Sequence, residues 1–430
     1  MSDDFCSRRH DQPLRFHWNV PGLARDLGLC LPHKLEAAAS SVLAEAILAA
    51  ESGRAVSYSR NRNFYANSQR YRETDYTYLT VLASVARLHR AGCIVDRPAP
   101  PGRLGWQSSF VATDELIRAC RSFGTPIAYS NSEIIWLKNV AGDLVNYSDT
   151  RNTRRLRHEL AECNEHLAQL AIEVPGAEWR GHHMLIDRCY ILPIPSNPLR
   201  RIFSRSSFSL HGRAYGWWQN IPEAARATLT INGEPVVEAD YKSLHPTILY
   251  NEAGIRFSGD PYDVDGFKRS DIKLGFVIAI NAKNTPAAIA ALADHLGTGR
   301  RHASNVIAAI KRCHKPIEKQ FCSDAGVRLM RTDSELILTA MRAMNDNGEP
   351  ALPVHDSLIV PARCEAQTTA KMVEVFEKIV GRVNPCSVNI KGKSVLHMGE
   401  GRRGRGTSWL VALSLPSFLS SNLRRQGSGQ

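Results

Sequence analysis

Apolar residues recur at intervals of three and four in several parts of the chain, a spacing that predicts amphipathic helices. One such stretch covers residues 77–91, where apolar side chains share one face, arginines share another, and Gly92 is placed to end the helix. Another covers residues 153–170 and has a regular apolar stripe. The stripe consists of Leu156, Leu160, Cys163, Leu167 and Leu170.

Two further helices are predicted on either side of residues 351–361. The buried face of the helix before this segment is predicted to consist of Ile337, Ala340, Met341 and Met344. The buried face of the helix after it is predicted to consist of Thr369, Val373, Phe376 and Val380. The segment between them is therefore expected to lie against helices.

One strand is predicted to end on an aspartate. Asn232-Gly233, a pair typical of tight hairpin turns, separates two β-like runs, and the second run covers residues 235–241. Ser243 and Pro246 follow and suit the cap and the first turn of a helix. Asp240 is therefore predicted at a strand-to-helix junction, where its carboxylate can face a cleft.

A second aspartate is predicted in a hairpin turn. In residues 351–361, His355, Asp356 and Ser357 interrupt two apolar runs, and Pro361 closes the segment. This pattern predicts two buried strands joined by a tight turn that exposes the Asp356 carboxylate.

The charge balance favours a polyanionic partner. In 430 residues, Lys and Arg exceed Asp and Glu by 54 − 42 = 12, although such an excess also occurs in proteins that bind no nucleic acid. The length allows two or three domains. Ten cysteines without a C-x-x-C pair favour a reducing cytoplasm over a zinc ribbon or a disulfide framework. The polar N-terminus and the lack of a long apolar run predict neither a signal peptide nor a membrane span.

Two stretches concentrate arginine. Residues 54–72 contain five arginines, no acid and several aromatic residues, a composition that can bind phosphates and stack on bases. The helix at 77–91 and the β-like runs at 93–95 and 108–111, joined by a basic loop, resemble a winged-helix module. A loose connection that never contacts DNA is the alternative.

The second basic stretch begins the helix at 153–170. Its first turns carry four arginines where the helix dipole disfavours cations, so a bound anion is predicted to compensate them. Arg154 and Arg155 are therefore candidate contacts to nucleic acid, and a solvated basic face is the alternative.

Two carboxylates at strand ends, distant in sequence, suit the coordination of two Mg²⁺ ions about 4 Å apart. Mg²⁺ prefers oxygen ligands and retains waters, so Asp240 and Asp356 together with substrate phosphates would suffice, and Mn²⁺ could substitute. Taken singly, an aspartate at a turn is common and is usually structural.

Four segments, in order, resemble the palm of the single-subunit polymerases, the group that contains family A DNA polymerases and phage-type RNA polymerases. Arg213 with the Q-N-I-P of residues 219–222 resembles the family A stretch along the primer-template. Asp240-Tyr241 resembles motif A, and His355-Asp356 resembles motif C. Between these two motifs, Arg269 and Lys273 form an R-x-x-x-K pair that resembles that of the fingers helix. The resemblance covers roughly residues 199–392.

The resemblance implies a role for each matching residue. Asp240, Asp356 and the Tyr241 carbonyl would hold the metal ions. Arg269 and Lys273 would neutralise the triphosphate. The residues expected to contact the primer-template are Arg213, Gln219, Arg226 and His355.

Two residues expected beside the nucleotide depart from the family pattern and leave its sugar open. His245 stands where family A DNA polymerases have a glutamate that crowds the ribose 2′-position, and a bulky residue there favours deoxyribonucleotides. Asn281 stands where the family has a tyrosine. Ser357 after motif C is typical of the phage-type RNA polymerases.

Two other patterns are set aside. The adjacent His182 and His183 are predicted to point apart and to hold no metal. The glycine pattern at 399–404 matches a dinucleotide fingerprint but follows no βαβ pattern.

The predicted fold is α+β: an antiparallel palm sheet with helices, short fingers and thumb-like helices, preceded by a mainly helical winged-helix-like domain. The predicted regions are 1–125 (winged-helix-like, nucleic-acid-binding), 126–198 (connector and basic helix), 199–259 (palm, motif A), 260–335 (short fingers), 336–395 (palm, motif C) and 396–430 (flexible tail).

The predicted function is a cytoplasmic DNA-directed DNA polymerase that binds a primer-template and nucleoside triphosphates. The sequence lacks the paired D-x-E element that would indicate a proofreading exonuclease. The compact form suits a mobile element or phage-like replicon. A phage-type RNA polymerase or primase is one alternative. A non-catalytic DNA-binding initiator or regulator is another. The template type, primer source, oligomeric state and protein partners stay open.

Overall fold

Helices cover mainly antiparallel sheets in this chain, so the predicted α+β class is confirmed. The computed structural model describes residues 11–66, 69–72, 75–100, 107–129, 133–193 and 198–392. The glycine pattern at 399–404, the predicted tail and part of the basic loop before residue 107 lie outside these ranges. No helix within them is long and apolar enough to cross a membrane.

The helices are α1 (Leu23–Asp26), α2 (His33–Glu51), α3 (Tyr78–Arg90), α4 (Asp114–Phe123), α5 (Arg151–Leu167), α6 (Glu223–Arg226), α7 (Leu244–Glu252), α8 (Arg269–Asn281), α9 (Thr285–Leu296), α10 (Arg300–Cys313), α11 (Gly326–Asn345) and α12 (Glu365–Ile379). The strands are β1 (Gln12–Pro13), β2 (Trp18–Asn19), β3 (Val56–Tyr58), β4 (Ile94–Arg97), β5 (Ser108–Ala112), β6 (Ala128–Tyr129), β7 (Ile135–Leu137), β8 (Ile172–Glu173), β9 (Glu178–Arg180), β10 (His183–Ile186), β11 (Cys189–Ile191), β12 (Arg200–Ser204), β13 (Ser207–Tyr215), β14 (Thr230–Ile231), β15 (Glu234–Tyr241), β16 (Leu352–Val354), β17 (Ser357–Pro361) and β18 (Val388–Lys391).

The N-terminal region has its own core, formed by helix α2 and the sheet β1-β3-β5-β4. The predicted helix at 77–91 is α3, which Thr77 begins with a capping box and Gly92 follows at φ 74°. The two β-like runs after it pair as β4 and β5, with Ile94 opposite Ala112. The helix and the hairpin predicted here are therefore both confirmed.

The basic helix begins and ends earlier than the predicted 153–170. Helix α5 starts at Arg151 because Thr150 forms a capping box with Thr153, and it ends at Leu167. Leu156, Leu160 and Cys163 of the predicted stripe are buried. The last predicted members of the stripe are only partly buried because they lie at or beyond the end of the helix.

The central sheet has the order β16-β17-β15-β14-β8. On the edge of β15 that faces away from β17, the first residues of the strand pair with β14 and its last residues pair with β18. Asn232 and Gly233 both have positive φ, so the predicted hairpin turn leads into β15. The predicted core face of the helix before residue 351 is buried on α11.

The face predicted for the following helix is shifted by one position. The residues of α12 that are buried are Thr368, Met372, Val375 and Phe376. The period was right and only Phe376 was assigned correctly, because apolar residues of α12 occupy two neighbouring rows and composition does not select between them.

Helix α8 packs closely on α10 at Gly275. A Cβ at this position would lie 2.9 Å from side-chain carbons of both Val306 and Ile310, so only glycine permits this approach. Helices α8, α9 and α10 thereby form a small helical unit beside the central sheet.

The two adjacent histidines do not point apart as predicted. His182 precedes β10 in a turn, and its Nδ1 lies 2.7 Å from Glu51 Oε1, while His183 Nδ1 lies 2.8 Å from Glu51 Oε2. Both rings therefore contact the same carboxylate at the end of α2. A Cβ on Gly181, which has φ +62°, would lie 2.1 Å from that carboxylate.

Glu45 is a buried acid in the N-terminal core and gives a testable pH dependence. Burial raises its pKa to about 7, although Arg15 and the Gln12 amide oppose the shift. Because the folded state binds this proton more tightly than the unfolded state, stability present below about pH 4 is lost as the pH rises to 7. The loss is on the order of 3 kcal/mol.

Glu45→Gln should therefore abolish most of that fall, measured as the urea unfolding free energy between pH 4.5 and 8. Glu36→Gln, at an exposed position of the same helix, is the matched control and should leave the slope unchanged. A Glu45→Gln protein that follows the wild-type slope would show that Glu45 is ionised in the folded core.

Candidate active site

Asp240 is the last residue but one of strand β15, at the strand-to-helix junction that the sequence predicts. Successive side chains of a strand alternate between faces. Tyr241 therefore points to the opposite face, where its hydroxyl donates to the Met372 carbonyl of α12 at 2.7 Å. Asp240 is left on the face that this helix does not cover.

The turn into α7 differs from the predicted cap. Ser243 occupies the N-cap position with φ 51°, but its side chain makes no capping hydrogen bond. It lies near the Tyr262 hydroxyl instead, where it opposes part of the rise that burial causes in the pKa of Tyr262. This contact attaches the segment before α8 to the junction that carries Asp240.

The predicted hairpin places Asp356 beside Asp240. Strands β16 and β17 pair through Val354 and Ser357, so His355 and Asp356 form a two-residue turn. Ser357 lies directly opposite Asp240 in the ladder between β15 and β17, and the Tyr241 amide approaches the Asp356 carbonyl at 3.4 Å. The two aspartates, 116 positions apart by 356 − 240, are neighbours on one sheet.

The two carboxylates interact electrostatically. Burial, followed by the charge of Asp356, raises the pKa of Asp240 to about 6. The ammonium of Lys391 opposes this shift because it lies 2.8 Å from Asp240 Oδ2. Because the two carboxylates repel each other, a cation bound between them would stabilise both negative charges.

Glu238 joins this acidic group and was not identified from the sequence. It lies two residues before Asp240 and therefore on the same face of β15, and it accepts a hydrogen bond from the Ser357 hydroxyl at 2.7 Å. Its other neighbours are Lys391 at 3.9 Å and Arg226 at 3.6 Å. The alternation of β15 is the sequence signal that could have identified it.

The oxygen atoms at this site fit a hard cation such as Mg²⁺. Asp240 and Asp356 supply adjacent carboxylates, and Tyr241 supplies a nearby backbone carbonyl. No group of three or more His, Cys, Asp or Glu side chains within the described ranges is arranged to hold a metal by itself. Substrate phosphate oxygens would therefore have to complete the coordination.

Asp333 is a second acid that was not identified from the sequence, and it organises two predicted site residues. It is fully buried on α11, accepts two hydrogen bonds from the Arg213 guanidinium, and lies 3.2 Å from His245 Nε2. Burial alone would raise the pKa of Asp333, but the Arg213 charge and the His245 contact outweigh it and lower that pKa. The sequence did carry a signal for Asp333, because an acid four residues before Ile337 lies on the predicted buried face of this helix.

His355 and Gln219 lie beside this group. The His355 ring packs edge-on against Tyr215 at 6.4 Å, and burial and the Arg213 charge lower its pKa. Gln219 donates to the Pro353 carbonyl at 2.8 Å, which fixes it to the strand before the turn. His355 Nδ1 and Gln219 Oε1 are buried without a hydrogen-bond partner among the described residues.

The first turns of α8 carry the two predicted phosphate-binding cations. Arg269 pairs with Asp260 at 2.6 Å, lies over the Tyr262 ring at 5.4 Å, and is 51% exposed. Lys273 is exposed one turn later on the same helix. Because Tyr262 contacts Ser243, this end of α8 lies near the Asp240 junction.

Other predicted residues make contacts within the protein. Asn281 ends α8, bonds to the Val277 carbonyl and packs on Gly326. Arg226 is largely buried between the Ile221 carbonyl and Glu238.

On the basic helix α5, acidic side chains of the protein itself neutralise part of the arginine charge. Arg155 pairs with Glu159 at 2.8 Å, and Arg157 pairs with both Glu133 and Asp149. Arg154 is exposed.

The likeness of this chain to known proteins is weak. No protein-family model matches the chain, and no curated protein matches it. Among solved structures, the chain is similar to the POL domain of Pol1 from M. smegmatis, in complex with DNA primer-template and dNTP, at 13% identity and a TM-score of 0.28. The alignment covers 56% of this chain and 51% of that one, so the chain spans about half of its length. Overlap at this level establishes neither a shared fold nor a family.

Asp333→Asn should destabilise the protein strongly, because it leaves the buried Arg213 charge without its counter-ion. Loss of one partner from a buried ion pair costs about 3–5 kcal/mol. Urea unfolding at pH 7 measures the effect, and Asp294→Asn on the exposed face of α9 should stay within about 0.5 kcal/mol of wild type. A loss below 1 kcal/mol, roughly the value of a surface pair, would contradict the role given to Asp333.

Proposed function

We propose that this protein is a template-directed nucleotidyltransferase, specifically a DNA polymerase of the family A type. The observation that carries the proposal is the placement of Asp240 and Asp356 side by side on one sheet, with the cations of α8 near the same junction. Two adjacent carboxylates and separate phosphate-binding cations suit phosphoryl transfer, in which charge stabilisation and positioning supply most of the catalysis.

Asp240, Asp356 and the Tyr241 carbonyl would hold two Mg²⁺ ions. When bound, such ions activate the attacking hydroxyl and neutralise the charge on the leaving pyrophosphate. The protein's own part is to hold the carboxylates in place. Pairing of β15 with β17 fixes both strands, and Glu238 with Ser357 braces them on the open face.

Arg269 and Lys273 would bind the triphosphate. They lie one turn apart near the N-terminal end of α8, where the helix dipole also favours an anion. Arg269 has to exchange its pairing with Asp260 for a phosphate, which its exposure permits. Asn281 packs on Gly326 at the far end of the same helix, so it would affect the nucleotide site by fixing the position of α8.

Arg213, Gln219, Arg226 and His355 would surround the end of the primer-template. The strongest candidates for direct contact are His355 Nδ1 and Gln219 Oε1, because each lacks a hydrogen-bond partner among the described residues. Arg213 is held by Asp333 and Arg226 by Glu238, so these arginines would act mainly by fixing the surface that the duplex meets.

The proposed layout assigns the palm to residues 199–259 and 336–395, the short fingers to 260–335, and the thumb-like part to the region of α5. In the N-terminal region, the antiparallel order β3-β5-β4 with helices α2 and α3 is that expected of a winged helix. Exposed Arg87 and Arg90 on α3 support a contact with DNA, and Arg154 would add another on α5.

The main alternative with the same chemistry is a phage-type RNA polymerase or primase. Ser357 favours it, because this residue braces Glu238 where a further carboxylate would follow Asp356 in a DNA polymerase of this type. His245 favours the DNA polymerase, because its ring lies in the first turn of α7 and Asp333 fixes its orientation.

Asp240→Asn and Asp356→Asn should each lower Mg²⁺-dependent primer extension by about a thousandfold or more, because each removes a metal ligand. Extension of a labelled primer on a DNA template measures the rate. Asp346→Asn, at the exposed end of α11, is the control and should retain full activity. Unchanged extension by both site variants would reject a polymerase active site here.

His245→Gly should increase ribonucleotide use relative to deoxyribonucleotide use by about tenfold, the value of one lost steric contact. Single-nucleotide extension with each sugar supplied separately gives the ratio. His295→Gly on α9 carries a similar helix cost and should leave the ratio at the wild-type value. An unaltered ratio in His245→Gly would show that His245 does not select the sugar.

A further inference from the structure

Lys391 is the last residue of β18 and reaches the acidic face of the central sheet. It lies directly opposite Glu238 in the ladder between β15 and β18, so the two side chains share a face. The ammonium extends diagonally to Asp240, with Nζ 2.8 Å from Oδ2, and it remains 3.9 Å from Glu238 Oε1. A protein cation is therefore in direct contact with an oxygen atom proposed to hold metal.

Three other cations near this face are held by other acids. Arg213 is bound by Asp333, Arg226 lies against Glu238, and Arg269 pairs with Asp260. Among the ion pairs of the described residues, Asp240 is paired with Lys391. Lys391 is thus the residue placed to offset the repulsion between Asp240 and Asp356.

We propose that Lys391 is a resident counter-cation that occupies Asp240 in the metal-free protein and has to leave before a divalent ion binds there. The proposal rests on the proposed function, since it takes Asp240 as a metal ligand. Mg²⁺ binds a carboxylate oxygen at about 2.1 Å, and an ammonium hydrogen-bonded to the same oxygen would repel it strongly. Metal binding is therefore an exchange of one cation for another.

The structure makes this exchange feasible. The Lys391 side chain is 43% exposed and has a flexible four-carbon stem, so it can move to solvent while the backbone of β18 stays paired with β15. Once released, the ammonium lies at the edge of a site that would receive a triphosphate, which offers it a new anionic partner. Metal binding should consequently be weaker without nucleotide than two adjacent carboxylates would otherwise allow.

The test is a titration of the full chain with Mn²⁺ in the absence of nucleotide, followed by the free-ion signal in electron paramagnetic resonance. Lys391→Met keeps most of the length of the side chain and removes its charge, and it should bind Mn²⁺ about tenfold more tightly than wild type. Lys391→Arg retains the charge and should keep the wild-type affinity. Lys378→Met, at an exposed position of α12, is the control for the loss of one lysine.

Folding is checked separately, because Lys391→Met leaves the carboxylates without their counter-ion. Circular dichroism and thermal unfolding are compared for each variant, and Lys391→Gln serves as a second neutral variant if Lys391→Met does not fold. Equal affinity in wild type and the neutral variants, with weaker binding in Asp240→Asn, would overturn the counter-cation proposal and leave the metal site standing. Mn²⁺ binding that is insensitive to both Asp240→Asn and Asp356→Asn would overturn the metal site itself, and the role of Lys391 with it.

Discussion

Two like charges held side by side are the constraint around which the centre of this protein is built. The ladder between β15 and β17 brings Asp240 and Asp356 together, and a one-residue shift of β15 would move the buried Ala239 and Tyr241 to the face that carries Asp240. Burial, and after it the charge of Asp356, raises the pKa of Asp240. The structure tolerates the two like charges because Lys391 lies against one of the carboxylates.

A second acid performs a different task a short distance away. Asp333 is buried completely, yet it stays ionised because Arg213 and His245 approach it from two different elements. The acids of the open face carry charge that a ligand could neutralise, whereas the charge of Asp333 is already neutralised internally. The same residue type thus remains accessible to a ligand at one place and is fully neutralised within the protein at the other.

Local sequence signals were sufficient to predict the turns and strand ends that expose Asp240 and Asp356. The Asn232-Gly233 hairpin, the strand after it and the polar interruption at 355–357 each specify backbone geometry within a few residues. Contacts that depend on the pairing of distant segments could not be predicted in this way. Lys391 meets Asp240 only because β18 returns to the edge of β15, and nothing near residue 391 in the sequence indicates that partner. The α12 face shows a third case, in which the period was evident but the orientation depended on the sheet beneath it.

The contact between Glu51 and the turn before β10 stiffens the connection between the N-terminal region and the strands β9, β10 and β11. Its carboxylate is held by His182 and His183, and it fills the space that any side chain at position 181 would need. Separation of α2 from this turn would leave a partly buried carboxylate without its two partners, so the joint resists bending. A force on the N-terminal region would therefore be carried through this contact to the sheet β9-β10-β11.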